Sequence, residues 1–177
     1  SEGSDGSVIT HENGNYKRAV GSDLMRPKFS IMNPELTESL PPYQTACGIV
    51  DMMAHVFERY FTNTKDVEIT DRLCEAVLLT VIQEAPKVMA DPNDYQARAN
   101  LMWASSWAIN GFITSGVGAP WPCHAMEHQL SAYYDVTHGH GLAILTPVWM
   151  EYILNEKTVD MFADYGVRVF GLDPSLL

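Results

Sequence analysis

Basic residues are scarce in this chain. Eleven lysines and arginines stand against 22 aspartates and glutamates in 177 residues, a formal net charge of -11. A surface of that sign repels phosphate backbones, which argues against nucleic acid as a partner. Cysteine is scarcer still: Cys47, Cys74 and Cys123 lie far apart and form no C-x-x-C. An odd, scattered set is no disulfide framework, so reduced and buried thiols in a cytoplasmic protein are expected. No run of about eighteen apolar residues occurs, so no membrane-spanning helix is expected. No secretory leader is visible, no G-x-S-x-G supports a serine hydrolase, and no adjacent His-Asp pair supports a metal phosphohydrolase.

Apolar residues, by contrast, make up 46% of the chain and aromatics 10%, enough for a sizeable core. The length suits one domain, or one domain plus a piece of another. The opening "SEGSDGS" and the closing "VFGLDPSLL" both read as a piece of a longer protein. Residues 1–39 carry short β signals: two runs flank Asn13-Gly14, a dipeptide suited to a tight hairpin, and Phe29 to Met32 reads as a strand closed at Asn33-Pro34. From residue 40 the period becomes helical. Ala46, Ile49, Val50, Met53, Phe57 and Phe61 form an apolar stripe after Pro41-Pro42. Further helices are expected over 66–85, ended or kinked by Pro86, then over 94–110, 122–134, 142–156 and 157–170. "SGVGAPWP" reads as a loop. The fold class is mostly α, with a short β segment in front.

Four of the six histidines fall in "PWPCHAMEHQLSAYYDVTHGHG". His124 and His128 are four apart and share a helix face. Asp51 and His55 form D-x-x-x-H in another helix, where Asp51 sits among Ile49, Val50, Met52 and Met53. A carboxylate in such company is costly unless it is paired or bound to a cation. Together with His138, placed where the chain bends back at Gly139, Asp51, His55 and His124 offer one carboxylate and three imidazoles. That set suits a divalent transition metal such as Fe2+ or Zn2+. The plain reading of any one of these histidines is a surface or core residue; only their combination points to a metal. "HAMEH" also matches the zinc-protease pattern H-x-x-E-H, in which His124 and His128 bind zinc and Glu127 activates water. That pattern has three fixed residues and leaves Asp51, His55 and His138 without a role. A third reading is a helical module that binds metal without catalysis.

Along nearly its whole length the chain resembles the iron-containing alcohol dehydrogenase family, in particular its butanol dehydrogenase-like branch. The likeness is carried by "RPKFSIMNPELTESLPPYQTACGIVDMMAHVFERY" and "NGFITSGVGAPWPCHAMEHQLSAYYDVTHGHGLAILTP". It implies the helical domain of a dehydroquinate synthase-like, iron alcohol dehydrogenase fold over residues 40–177. Residues 1–39 would be left from the nucleotide-binding α/β domain. It implies Asp51, His55, His124 and His138 as metal ligands and His128 as a non-ligand beside the metal. Lys17 matches a contact to the nicotinamide-side ribose, Ser1 and Glu2 the cofactor cleft, and Trp121 the substrate side. The implied reaction is hydride transfer between NAD or NADP and a small primary alcohol or aldehyde at the metal, in an enzyme compatible with a homodimer. A Lewis acid can lower a bound water's pKa from about 16 to about 7, roughly 12 kcal/mol as an upper bound. One acid–base group such as His128 contributes about 3–5 kcal/mol, so the metal should dominate. The glycine-rich phosphate loop of the family is not in this chain, so the 177 residues alone are expected to be inactive. His140 stands where a small apolar residue is expected and reads as a surface or outer residue.

Overall fold

The computed structural model describes residues 3–11, 13–118 and 120–176. Two strands, β1 (Gly6–His11) and β2 (Tyr16–Gly21), pair antiparallel from Gly6 opposite Gly21 to His11 opposite Tyr16. The described part of the connection, residues 13–15, is already longer than the two-residue turn expected at Asn13-Gly14. The left-handed positions are Gly14 (φ 105°) and Asn15 (φ 54°), one residue further on. The expected strand at 29–32 does not form. Phe29 is 80% exposed and Ile31 81%, and no described strand lies beside them to complete a ladder. Asn33 instead caps a short 3-10 turn, Pro34–Thr37, accepting from the Glu35 amide.

Six helices follow: α1 (Pro42–Tyr60), α2 (Glu68–Ala90), α3 (Tyr95–Ile109), α4 (Pro122–Tyr134), α5 (His138–Ile153) and α6 (Val159–Phe170). Helix α1 is central, packing on α2, α3 and α5. Its stripe of Ile49, Val56, Phe57, Tyr60 and Phe61 meets Cys74, Leu78 and Val81 of α2 and Leu101, Ala104 and Ala108 of α3 in one apolar core. Asp94 caps α3 by accepting from the Ala97 amide at 3.0 Å. Asp135 ends α4 in the left-handed region, and Gly171 does the same for α6.

Pro86 and Gly139 behave differently from the sequence reading. Pro86 does not end α2, which runs four residues beyond it. It removes one intrahelical bond, but Val88 beyond it is buried, and that burial carries the helix on. Helix α5 begins at His138, four residues earlier than expected, and passes Pro147 without stopping. Gly139 and Gly141 are packing positions rather than turn positions. A Cβ on Gly139 would overlap the Cys47 carbonyl of α1, and one on Gly141 would lie 2.8 Å from Glu127 Cγ. These contacts seat the first turn of α5 against α1 and α4. Cys47, Cys74 and Cys123 are free and buried, and burial foremost pushes the Cys74 and Cys123 thiols up to about 12. No described helix is long and apolar enough to cross a membrane.

Candidate metal centre

Helix α1 presents Asp51 and His55 one turn apart, with His55 Nε2 3.5 Å from Asp51 Oδ1. The first turn of α4 brings His124 Nε2 to 3.3 Å from the same oxygen. His138, the first residue of α5, brings its Nε2 to 3.6 Å. Three imidazole nitrogens from three helices thus converge on one carboxylate oxygen. Asp51, His124 and His138 hold ligand atoms within 4.8 Å of one another, and His55 reaches that cluster through Asp51.

The outer faces of two of these rings are held by buried carboxylates. Glu58, 2% exposed, accepts from His124 Nδ1 and also from the Cys123 and His124 amides, at 2.6 and 3.3 Å. It thereby closes the N-terminus of α4, whose preceding Trp121 supplies no side-chain cap. Glu127, fully buried, accepts from His138 Nδ1 and from Ser131 Oγ, and Lys17 Nζ stands 3.6 Å from it. A carboxylate can only accept, so Nδ1 of each ring is the donor and Nε2 of the neutral ring carries a lone pair toward Asp51.

That arrangement is a donor set without a proton donor at its centre. Two neutral rings and a carboxylate would face one another lone pair to lone pair. In the absence of a cation the conflict is met by protonation. Burial acts to lower the His124 pKa, but the hydrogen bonds and charges of Asp51 and Glu58 outweigh it and lift the ring to about 9. His55 goes the other way: burial above all drives it to about 3, so it stays neutral, and its Nδ1 is buried without a partner among the described residues. Asp51 is held below the usual carboxylate range, because His124, His55 and His138 together overcome its burial. One oxygen and three neutral nitrogens suit a divalent transition ion.

His128 lies beside the cluster, its ring 5.4 Å from that of His138 and 6.4 Å from that of His124. Burial first, then the charges of His138 and Lys17, keep its pKa below the ordinary imidazole value. The H-x-x-E-H reading requires His124 and His128 to share an ion and Glu127 to face water. The structure separates the two histidines into different donor groups and surrounds Glu127 with Ser131, His138 and Lys17. The protease geometry is not formed. Trp121 stands edge-on to His55 and His124, both at 4.9 Å, with the Arg59 guanidinium 3.3 Å from its ring centre. A cleft of about 630 Å³ opens between the β1–β2 hairpin, Ile109, Trp121 and the imidazoles of His55, His124, His128 and His138. His140 is outside it, exposed and hydrogen-bonded to Tyr43 Oη at 3.0 Å. Ser1 and Glu2 lie outside the described residues.

Sequence reasoning missed Glu58 and Arg59, and it considered Glu127 only as the water-activating residue of the H-x-x-E-H reading. The signal for Glu58 was present. It stands three residues after His55 inside "HVFERYF", a carboxylate in apolar company just as Asp51 is.

Residues 45–172 match the profile of the Fe-containing alcohol dehydrogenase family, C-terminal. NADH-dependent butanol dehydrogenases A and B of Clostridium acetobutylicum are 52% and 54% identical over 167 residues, which is 94% of this chain. The chain spans 43% of the length of each. The crystal structure of NADH-dependent butanol dehydrogenase A from Thermotoga maritima superposes with a TM-score of 0.90 at 37% identity, covering 96% of this chain and 42% of that one.

Proposed function

The chain belongs to the Fe-containing alcohol dehydrogenase family, and from that premise we propose that it carries the metal-binding part of an NAD(P)-dependent oxidoreductase interconverting small primary alcohols and aldehydes. The observation that carries this reading is the convergence of three imidazole Nε2 atoms on Asp51 Oδ1, with buried Glu58 and Glu127 fixing two of the rings from behind. Asp51, His55, His124 and His138 are the proposed ligands. An ion held by them supplies Lewis-acid polarisation of the alcohol or carbonyl oxygen.

The remaining chemistry belongs to side chains around the cleft. His128, neutral near pH 7 by its lowered pKa, is the group proposed to accept and return a proton at a ring nitrogen. Trp121 walls the substrate side and keeps water from the imidazoles. The β1–β2 edge is the proposed seat of the nicotinamide, with Lys17 near its ribose. The dependence of the two Clostridium relatives on NADH, as their names state, supports NAD as the carrier. Residues 1–39 are proposed to belong to the nucleotide-binding domain and residues 40–177 to the helical catalytic domain. Hydride transfer itself is the nicotinamide's chemistry; the protein orients it and excludes water.

Replacement of Asp51 or His124 by alanine in the full chain, meaning the complete enzyme to which these residues are proposed to belong, tests the site. Elemental analysis should find no retained metal in either variant, and NADH-dependent reduction of butanal should disappear with it. Full metal occupancy in Asp51→Ala or His124→Ala would refute the ligand set.

A further inference from the structure

The resemblance gives Lys17 a single task, contact with the nicotinamide ribose. The geometry gives it another. Lys17 leaves β2 and enters the helical part of the molecule, where its side chain is only 16% exposed and Nζ stands 3.6 Å from Glu127 Oε2. That is the oxygen that accepts from His138 Nδ1. Glu127 is fully buried. Its other oxygen is taken by Ser131, whose hydroxyl also reaches the Val136 carbonyl at 2.9 Å. The Glu127 side chain sits against the bare backbone of Gly141, where a Cβ would come within 2.8 Å of Cγ and 2.9 Å of Oε1. Space, hydroxyl, imidazole and ammonium are thus all fitted to one carboxylate.

A carboxylate withdrawn from water is stabilised by the hydrogen bonds it accepts and further by a positive charge beside it. Ser131 and the His138 ring supply hydrogen bonds, and Lys17 supplies a fixed charge. Lys17 is the cation within ion-pair distance of Glu127 among the described residues, the His138 contact aside. Without it, the arrangement of Glu127 that holds the His138 ring loses its electrostatic support. We propose that Lys17 is a positioning residue: through Glu127 it fixes the orientation of His138, so that the hairpin tunes the metal affinity of the helical site before any nicotinamide binds. The proposal rests on His138 being a ligand, as the preceding reading has it.

The test is a chelator competition for Zn2+ on the full chain with no nicotinamide present, using wild type, Lys17→Met, Lys17→Arg, Glu127→Gln and the double variant Lys17→Met/Glu127→Gln. Loss of an outer-sphere partner typically weakens metal binding about 10–100-fold. Lys17→Met is expected to show a loss of about that size, and Lys17→Arg to recover most of it. Lys17→Met should add less than about twofold once Glu127 is already glutamine, since the two act as one unit. Wild-type zinc affinity in Lys17→Met, with a defect only in the nicotinamide KM, would overturn the proposal and leave Lys17 a cofactor contact. Additive losses in the double variant would overturn it as well. Asp51→Ala in the same assay reports separately on the metal site: undiminished zinc binding there refutes the ligand set itself, whatever Lys17 does.

Discussion

At the scale of single residues, His124 and His128 show how position within one helix divides two like side chains. His124 is in the first turn of α4, where Glu58 can reach both its ring and the amides around it. One turn later, His128 falls in a donor group with Glu127 and His138 and has no short approach to Asp51 among the described residues. His128→Ala in the full chain should therefore keep the metal, measured by elemental analysis, while kcat falls by about a hundred- to ten-thousandfold. Loss of the metal from that variant would make His128 a ligand. The cysteines offer a simpler check. Cys74 and Cys123 are buried with thiols pushed up to about 12, so the native protein at pH 8 should show neither reacting quickly with a thiol reagent, and both reacting after denaturation.

Among the elements, α1 does most to build the site. It buries one face in the core and turns Asp51, His55 and Glu58 toward α4 and α5. Helix α5 must come close for His138 to arrive, and Gly139 permits that approach. Gly139→Ala forces a Cβ into the Cys47 carbonyl and should destabilise the protein by about 1–3 kcal/mol or more, with metal retention falling too. A thermal melt beside the zinc competition would detect both. The helices were legible in the sequence because their apolar periodicity is strong: α1 and α4 fall within a residue or two of the expected bounds. The start of α5 was not, because a glycine that spares a packed backbone looks the same in sequence as one that makes a turn. The strand at 29–32 was misread because a β-like composition does not reveal whether a neighbouring strand exists. Asp51, His55, His124 and His138 could be picked out because each is polar and sits in a patterned context. Glu58 sits in the same kind of context and went unread, since nothing local says that α4 starts against it.

For the molecule as a whole, a polar network centred on buried Tyr60 and Glu75 fastens α1, α2 and α6 away from the site. Tyr60 Oη donates to Glu75 Oε1 at 3.0 Å, while Arg168 and Arg72 reach the two oxygens of Glu75 at 3.3 and 3.2 Å. Glu75→Ala leaves a buried phenol and two guanidinium groups without that acceptor. Its expected cost is about 2–3 kcal/mol, seen as a melting temperature lower by about 4–12 °C with metal content unchanged. The double use of Glu58 reaches further. A single carboxylate both seats the start of α4 and aims the ring of His124, so occupancy and folding are thermodynamically linked through it. At a hundredfold excess over Kd an ion adds about 2.7 kcal/mol to the native state. The heat resistance of this segment thus becomes a gauge of how much metal is available to it.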